Sequence, residues 1–276
     1  MNDAKVVLVT GASSGIGEQV VMMMLEKGYI VYAAARRVEK MKTIEEKGGH
    51  VCFIDLTNDD SIKSCVSEIY NKEGGIDILV NNAGYGSYGA IEDVSIDEGR
   101  RQFEVNLFGL ARLTQLVLPA MRKKGWGRIV NISSIAGWVY SPFGAWYYAT
   151  KHALEGWTDA LRTEVKTWGI DVVLVEPGLV FTDWGIIAAK NLEKNSAQGV
   201  YALRAKRVAN LMTKLYSEGV YPTVPEKLAK VIVKAAVIKY PKTRYRKGFG
   251  ANSFYWSRRI LPDKWFDYIV CKIIGG

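Results

Sequence analysis

Cysteine and histidine are scarce in this chain, with three and two among 276 residues. Cys52, Cys65 and Cys271 form an odd set without Cys-x-x-Cys spacing, so they build neither a disulfide framework nor a zinc site. They read as buried or incidental thiols in a reducing compartment. His50 and His152 have no ligand partners at coordinating distance in the sequence, so no metal is expected. Long apolar runs are also missing: none reaches the roughly 18 residues needed to cross a bilayer. Met1-Asn2-Asp3-Ala4-Lys5 leads straight into the apolar Val6-Val7-Leu8-Val9, without the pattern of a secretory signal. A cytoplasmic protein is expected.

What is present suits one large domain. About half of the residues are apolar (49%) and a quarter charged (24%), enough to build a sizeable core. The formal net charge is +9, unevenly placed. From Lys239 onward there are nine basic residues against Asp263 and Asp267, which accounts for seven of those charges. A basic segment at 240–276 is compatible with nucleic acid, an anionic membrane surface, or a solvated tail serving an anionic cofactor. The last is preferred, and no nucleic-acid partner is expected. Its aromatics, Phe254-Tyr255-Trp256 and Trp265-Phe266, leave open a weak membrane-surface contact beside cover of the substrate site or a subunit interface.

Apolar β-branched runs alternate with helix-period segments. Strands are predicted at 5–10, 29–35, 50–54, 76–81, 127–132 and 170–175, and helices at 15–27, 38–47, 59–73, 96–123, 146–167 and 225–239. Strand, helix, strand in repetition requires crossover connections and hence a parallel sheet covered on both faces. The expected fold is a single α/β domain over 1–276, a Rossmann-type doubly wound sheet in three layers. Residues 183–222 break the rhythm and read as an insert, placed to act as a substrate lid.

Thr10-Gly11-Ala12-Ser13-Ser14-Gly15-Ile16-Gly17 joins the first strand to the first helix. Glycine permits the sharp turn, and the helix N-terminus favours a pyrophosphate. An ordinary strand-to-helix loop is the plainer alternative. The second strand ends Ala33-Ala34-Ala35-Arg36-Arg37, with alanine where a carboxylate would accept from a ribose hydroxyl. Guanidinium groups pair with phosphate through two charge-assisted bonds. NADP(H) is therefore favoured over NAD(H), with Arg36 the first choice and Arg37 or Ser14 assisting. Alternatively, both arginines merely solvate the next helix. Asp55-Leu56 and Asn81-Asn82-Ala83-Gly84 end the third and fourth strands, where Asp, Asn and Gly also serve as turn chemistry.

Tyr147 and Lys151 stand four apart on one helical face, and Ser134 closes the fifth strand. Together, Thr-Gly-x-x-x-Gly-x-Gly, Asn-Asn-Ala-Gly, Asn106, Ser134, Tyr147-x-x-x-Lys151 and Pro177-Gly178 resemble the short-chain dehydrogenase/reductase family of single-domain type. The resemblance runs from about residue 5 to 182, in order and spacing. It implies Tyr147 as acid/base, Lys151 as its activator and a ribose ligand, Ser134 on the substrate oxygen, and Asn106 holding a relay water. It implies cofactor contacts at Gly11, Ser13, Ser14, Gly15, Ile16, Gly17, Arg36, Arg37, Asp55, Leu56, Asn82, Ala83, Gly84, Tyr147, Lys151, Pro177, Gly178, Val180 and Thr182. Family members commonly form homodimers or homotetramers.

Coulomb's law supplies a physical reason for the pair. A phenol needs a shift of roughly three units to act as a base at neutral pH, about 4 kcal/mol. An ammonium about 4 Å away, at an effective dielectric near 20, provides roughly that much. Trp138, Val139, Tyr140, Phe143 and Trp146, with Phe181 just before the insert and Trp184, Ile186 and Ile187 within it, offer an apolar wall. Trp138 and Trp184 are the chosen substrate contacts, beside Ser134 and Tyr147. The expected reaction interconverts a secondary alcohol and a ketone on a bulky apolar substrate. A hydroxysteroid leads; a lipid ketone such as acyl-dihydroxyacetone phosphate, or a retinoid, follows. A protein that senses NADPH without turnover is the non-enzyme alternative.

Overall fold

The six anticipated strands stand within two residues of their expected bounds in the computed structural model, which describes residues 4–217 and 223–273. β1 (Val6–Thr10), β2 (Ile30–Ala35), β3 (His50–Phe53), β4 (Ile78–Asn81), β5 (Gly127–Ile132) and β6 (Ile170–Pro177) are joined by β7 (Arg244–Lys247). All pair in parallel, in the order β3-β2-β1-β4-β5-β6-β7. Every residue of β1, β4 and β5 is buried, because helices cover both faces of a parallel sheet.

One face carries α1 (Gly15–Glu26) and α9 (Pro225–Val237), whose Val20, Met24, Leu228 and Ile232 meet Val7, Val80 and Val173. α3 (Asp59–Glu73), α5 (Gly109–Lys124) and α6 (Ala145–Val165) cover the other, through Ile62, Ile69, Leu113, Val117 and Leu161. Both cores are built from the apolar stripes that the 3.6-residue period puts on one side of each helix. α2 (Lys42–Glu46) links β2 to β3. The chain therefore makes one doubly wound domain. Its strand order reverses between β1 and β4, and this opens a crevice above their carboxyl ends.

Three regions add to or depart from the expected elements. The helix expected over 96–123 is α4 (Ile96–Phe103) and α5, joined by a π-helical turn at Glu104–Phe108. The insert forms α7 (Asp183–Ser196) and α8 (Ala202–Ser217), packed on each other; its residues 218–222 lie outside the described residues. The C-terminal segment, described as far as Ile273, is no solvated tail. It provides β7, α10 (Ala251–Ile260) and α11 (Asp263–Ile273). β7 escapes prediction because Arg244-Tyr245-Arg246-Lys247 is polar.

Its arginines are structural. Glu176 of β6 is fully buried and pairs with Arg244 at 3.0 Å and Arg246 at 2.7 Å. Arg244 also reaches Glu155 and Asp159 on α6. Breaking a buried ion pair from one side leaves charge without its counter-ion. Glu176→Ala is therefore expected to cost about 3 kcal/mol in chemical denaturation; a loss below 1 kcal/mol would mean that water reaches the guanidinium groups.

Candidate active site

The carboxyl edge of the sheet opens into a cavity of about 1040 Å³, walled by the strand ends, α7, α8, α10 and α11. At its floor, Gly11 and Gly15 take positive φ, 66° and 62°. A Cβ on Gly11 would lie 2.8 Å from Ala83 Cα, so the turn closes only without a side chain. Gly17 does not line the cavity. It lets α1 press on the Gly11 carbonyl and the Asn82 side chain, where any Cβ would collide. Its absent side chain is what seats the helix. Gly17→Val is expected to weaken dinucleotide binding at least tenfold in a fluorescence titration, because a displaced helix misaims its amides.

Those amides are available. Ser14 precedes α1 in extended geometry and its side chain makes no capping bond, leaving first-turn N–H groups unsatisfied beside the cavity. Ser13, Ser14, Gly15 and Ile16 line the same floor, with Arg36, Arg37, Asp55 and Leu56 along one side and Thr182 across from Gly15. Arg37 Nη2 donates to Ser13 Oγ at 3.3 Å; Arg36 is exposed and has no ion pair among the described residues. Burial works to raise the Asp55 carboxyl, but bonds from Thr57 and the Arg36 charge outweigh it and hold the group below its usual range. Asp55 Oδ1 accepts from both the Thr57 N–H and hydroxyl, so that oxygen serves its own turn.

Asn82, Ala83, Gly84, Pro177, Gly178 and Val180 complete the wall. Asn82 Nδ2 donates to the carbonyls of Thr10, at 3.0 Å, and Gly11, stapling β4 to the glycine loop. A floor with orphan helix amides, no protruding side chains and flanking guanidinium groups fits a dinucleotide diphosphate in charge and in shape.

Farther along lie Ser134, Tyr147 and Lys151. The loop after β5 sets Ser134 at the head of a 3₁₀ turn, where its Oγ accepts from the Ala136 N–H at 3.1 Å. Tyr147 and Lys151 are buried on α6. Lys151 Nζ donates to the Ile132 carbonyl at 2.9 Å and stands 6.0 Å from the Tyr147 ring centre. The acidified phenol expected from Coulomb's law is not what the chain alone produces. Burial holds the Tyr147 hydroxyl above its ordinary value, and the Ser134 hydrogen bond only partly opposes it. Burial also pushes the Lys151 ammonium down to about 8, against the attraction of Glu155 one turn on. Desolvation exceeds the pair attraction because both groups are covered.

One further expectation is corrected, and a second site residue has its side chain engaged in the fold. Asn106 lies beneath the cavity, in the π-helical turn. Its amide is spent on the Tyr85 backbone, accepting at 3.1 Å and donating at 2.9 Å, and on Thr150 Oγ1. These contacts hold the loop after β4 and engage the side-chain amide, leaving the backbone carbonyl as the group on Asn106 that would hold a relay water. Trp138 also misses the cavity: its Nε1 donates to Glu176 at 3.1 Å and its ring packs against Tyr255. Phe143 and Trp146 are likewise absent from the wall, Trp146 being pressed on Gly99.

Trp184 does line it, 4.9 Å from Tyr147 between ring centres. Missed by sequence reasoning were Tyr88, Tyr216, Leu211 and Met212, whereas Phe266 and Val270 come from the C-terminal segment for which cover of the substrate site was one of the readings. Their helix-period apolar stripes were visible, but nothing local said which surface they would meet.

The family described as short chain dehydrogenase matches residues 5–193. A 3-ketodihydrosphingosine reductase of Bacteroides thetaiotaomicron is 36% identical over 267 residues, 96% of this chain and 96% of its own. An NADPH-dependent 3-dehydrocapnine reductase of Ornithobacterium rhinotracheale is 35% identical, over 96% of this chain and 95% of its own. Among solved structures, a short-chain dehydrogenase from Streptomyces avermitilis superposes with a TM-score of 0.80 at 30% identity, covering 100% of this chain and 96% of that one. With the glycine turn, the serine and the tyrosine–lysine pair gathered around one crevice, the chain belongs to the short-chain dehydrogenase family, whose members are NAD(P)-binding oxidoreductases.

Proposed function

We propose that this protein is an NADP(H)-dependent reductase of a long-chain apolar ketone. The observation that carries the reading is the cavity wall, where Val208, Leu211, Met212 and Leu215 of α8 and Phe266 and Val270 of α11 line the same space as Tyr147. Such a lining is long, aliphatic and suited to an alkyl chain. The printed activities of the Bacteroides and Ornithobacterium relatives support a ketone at the end of such a chain, and the latter's NADPH dependence supports the phosphorylated cofactor.

When bound, the reduced nicotinamide supplies hydride to the carbonyl carbon. Arg36 would pair with the ribose 2′-phosphate, and the α1 amides would hold the diphosphate. Ser134 Oγ donates to the carbonyl oxygen, and Tyr147 Oη delivers the proton. A phenol kept protonated by burial suits that direction. Lys151 holds positive charge beside the forming phenolate, while Trp184 and the α7–α8 cover exclude water. Because the lysine titrates near 8, its charge is present below that pH and lost above it. kcat/KM for reduction is expected to fall as pH rises through about 8; a flat profile to pH 10 would remove Lys151 from this role.

A hydroxysteroid is the second reading, carried by the aromatic rings of Tyr88, Trp184 and Tyr216, which offer flat faces to fused rings. A paired screen of NADPH with long-chain ketones and with ketosteroids separates the two. Turnover of the steroids alone would replace the leading reading. Affinity for NADPH with no turnover of either would revive a sensing role.

A further inference from the structure

We propose that the exposed flank of α11, beside the mouth of the cavity, is a docking surface for an anionic bilayer. Trp265, Tyr268, Ile269 and Lys272 recur at three- and four-residue spacing and so share one flank of the helix. Trp265 is 63% exposed and Tyr268 60%, whereas Phe266 and Val270 on the adjoining side are buried against Val139 and Tyr140. No helix among the described residues is long and apolar enough to cross a membrane. The flank instead has the composition of a helix lying in the interface, where indole and phenol rings sit at headgroup depth.

Charge points to the sign of the lipid. Both carboxylates of α11 are exposed but already have partners within the chain: Asp267 accepts from the Tyr140 hydroxyl at 2.8 Å and Asp263 pairs with Arg258 at 2.8 Å. Lys264 and Lys272 have no ion pair among the described residues and stand exposed on the same helix. Cations without carboxylates to balance them are drawn to phosphate headgroups.

Position supplies the reason for docking. Ile273, at the end of α11, lines the cavity and is 52% exposed; Ile187 of α7 lines it and is 50% exposed, and Phe181 shares both properties. Large apolar side chains that face the cavity and also solvent form its rim. An apolar rim next to an interfacial helix lets a long-chain ketone pass from lipid to cavity without crossing water. That last step rests on the substrate class proposed above; the docking itself does not.

The test uses the full chain with vesicles of phosphatidylcholine alone, or mixed with about equal phosphatidylglycerol, read by co-sedimentation. The wild type is expected to pellet with the anionic vesicles and to be released by salt. Trp265→Ser with Ile269→Ser should lower the bound fraction about tenfold, and with it the rate on a long-chain ketone carried in the vesicles. Neither residue lines the cavity, so the rate with a short water-soluble ketone should stay unchanged. The proposal is overturned if the wild type remains in the supernatant with both vesicles, or if the double variant pellets as before. It is also overturned if the variant's only change is conversion of a dimer to a monomer, which would assign the flank to a second copy of the chain. Vesicle binding without turnover of any long-chain ketone would remove the substrate reading and leave the docking surface standing.

Discussion

Tyr147→Phe is expected to lower kcat/KM for NADPH-dependent ketone reduction by about a thousandfold while NADPH binding, read by fluorescence titration, changes little. The ring keeps its packing against Trp184 and Tyr88, so the fold and the cavity wall should survive. Only the hydroxyl is lost, and with it the proton that the carbonyl oxygen requires as hydride arrives. Without it the oxyanion would form in a buried site, facing the Ser134 hydroxyl alone. Tyr148→Phe is the control. Its hydroxyl also lies in the cavity wall but shares a 2.7 Å hydrogen bond with Ser141. That variant should lose less than tenfold. Equal losses in the two variants would remove Tyr147 as the specific acid.

Arg36→Asp is expected to shift the ratio of kcat/KM for NADPH over NADH by about a hundredfold or more toward NADH. A charge-assisted pair with phosphate contributes roughly 1.5–3 kcal/mol, and replacing it with a carboxylate adds repulsion of the 2′-phosphate. Two such effects exceed the roughly 2.7 kcal/mol that a hundredfold ratio requires. The new carboxylate would also accept from a 2′-hydroxyl, which preserves NADH use. Arg37 is the weaker discriminator because its guanidinium already donates to Ser13. Unchanged NADPH preference in the Arg36 variant would move the phosphate site elsewhere. A fall with both cofactors in equal proportion would mean that Arg36 supports the loop and reads no phosphate.

Legibility along the chain followed locality. The glycine turn, the strand ends and the Tyr147–Lys151 spacing are each contained in fewer than ten residues, and backbone geometry leaves them few arrangements. Gly17 illustrates the limit of such motifs: the motif marks it as glycine, but only the fold shows that the Gly11 carbonyl and the Asn82 side chain leave no room for a Cβ there. Trp138 marks a second limit. Its residue type promised a substrate contact, but an indole N–H turned into the fold must find a partner, and the nearest was Glu176. The pull of Lys151 on Tyr147 marks a third. A distance drawn from helical spacing carried no information on how deeply both groups are covered, and burial decided the outcome.

From the order of residues alone came the alternation of strand and helix, the doubly wound sheet, the position of the crevice and the cluster that lines it. These follow from periodicity and from short backbone turns, which act over a few residues. Only the folded chain decided that Arg244 and Arg246 form an edge strand against Glu176, and that α8 and α11 line the same cavity as Tyr147. Those pairings join segments tens of residues apart, and each apolar stripe or charged run had several surfaces it might have met with similar local energy. Burial of the whole set at once selects among them, and no stretch of the chain contains that sum.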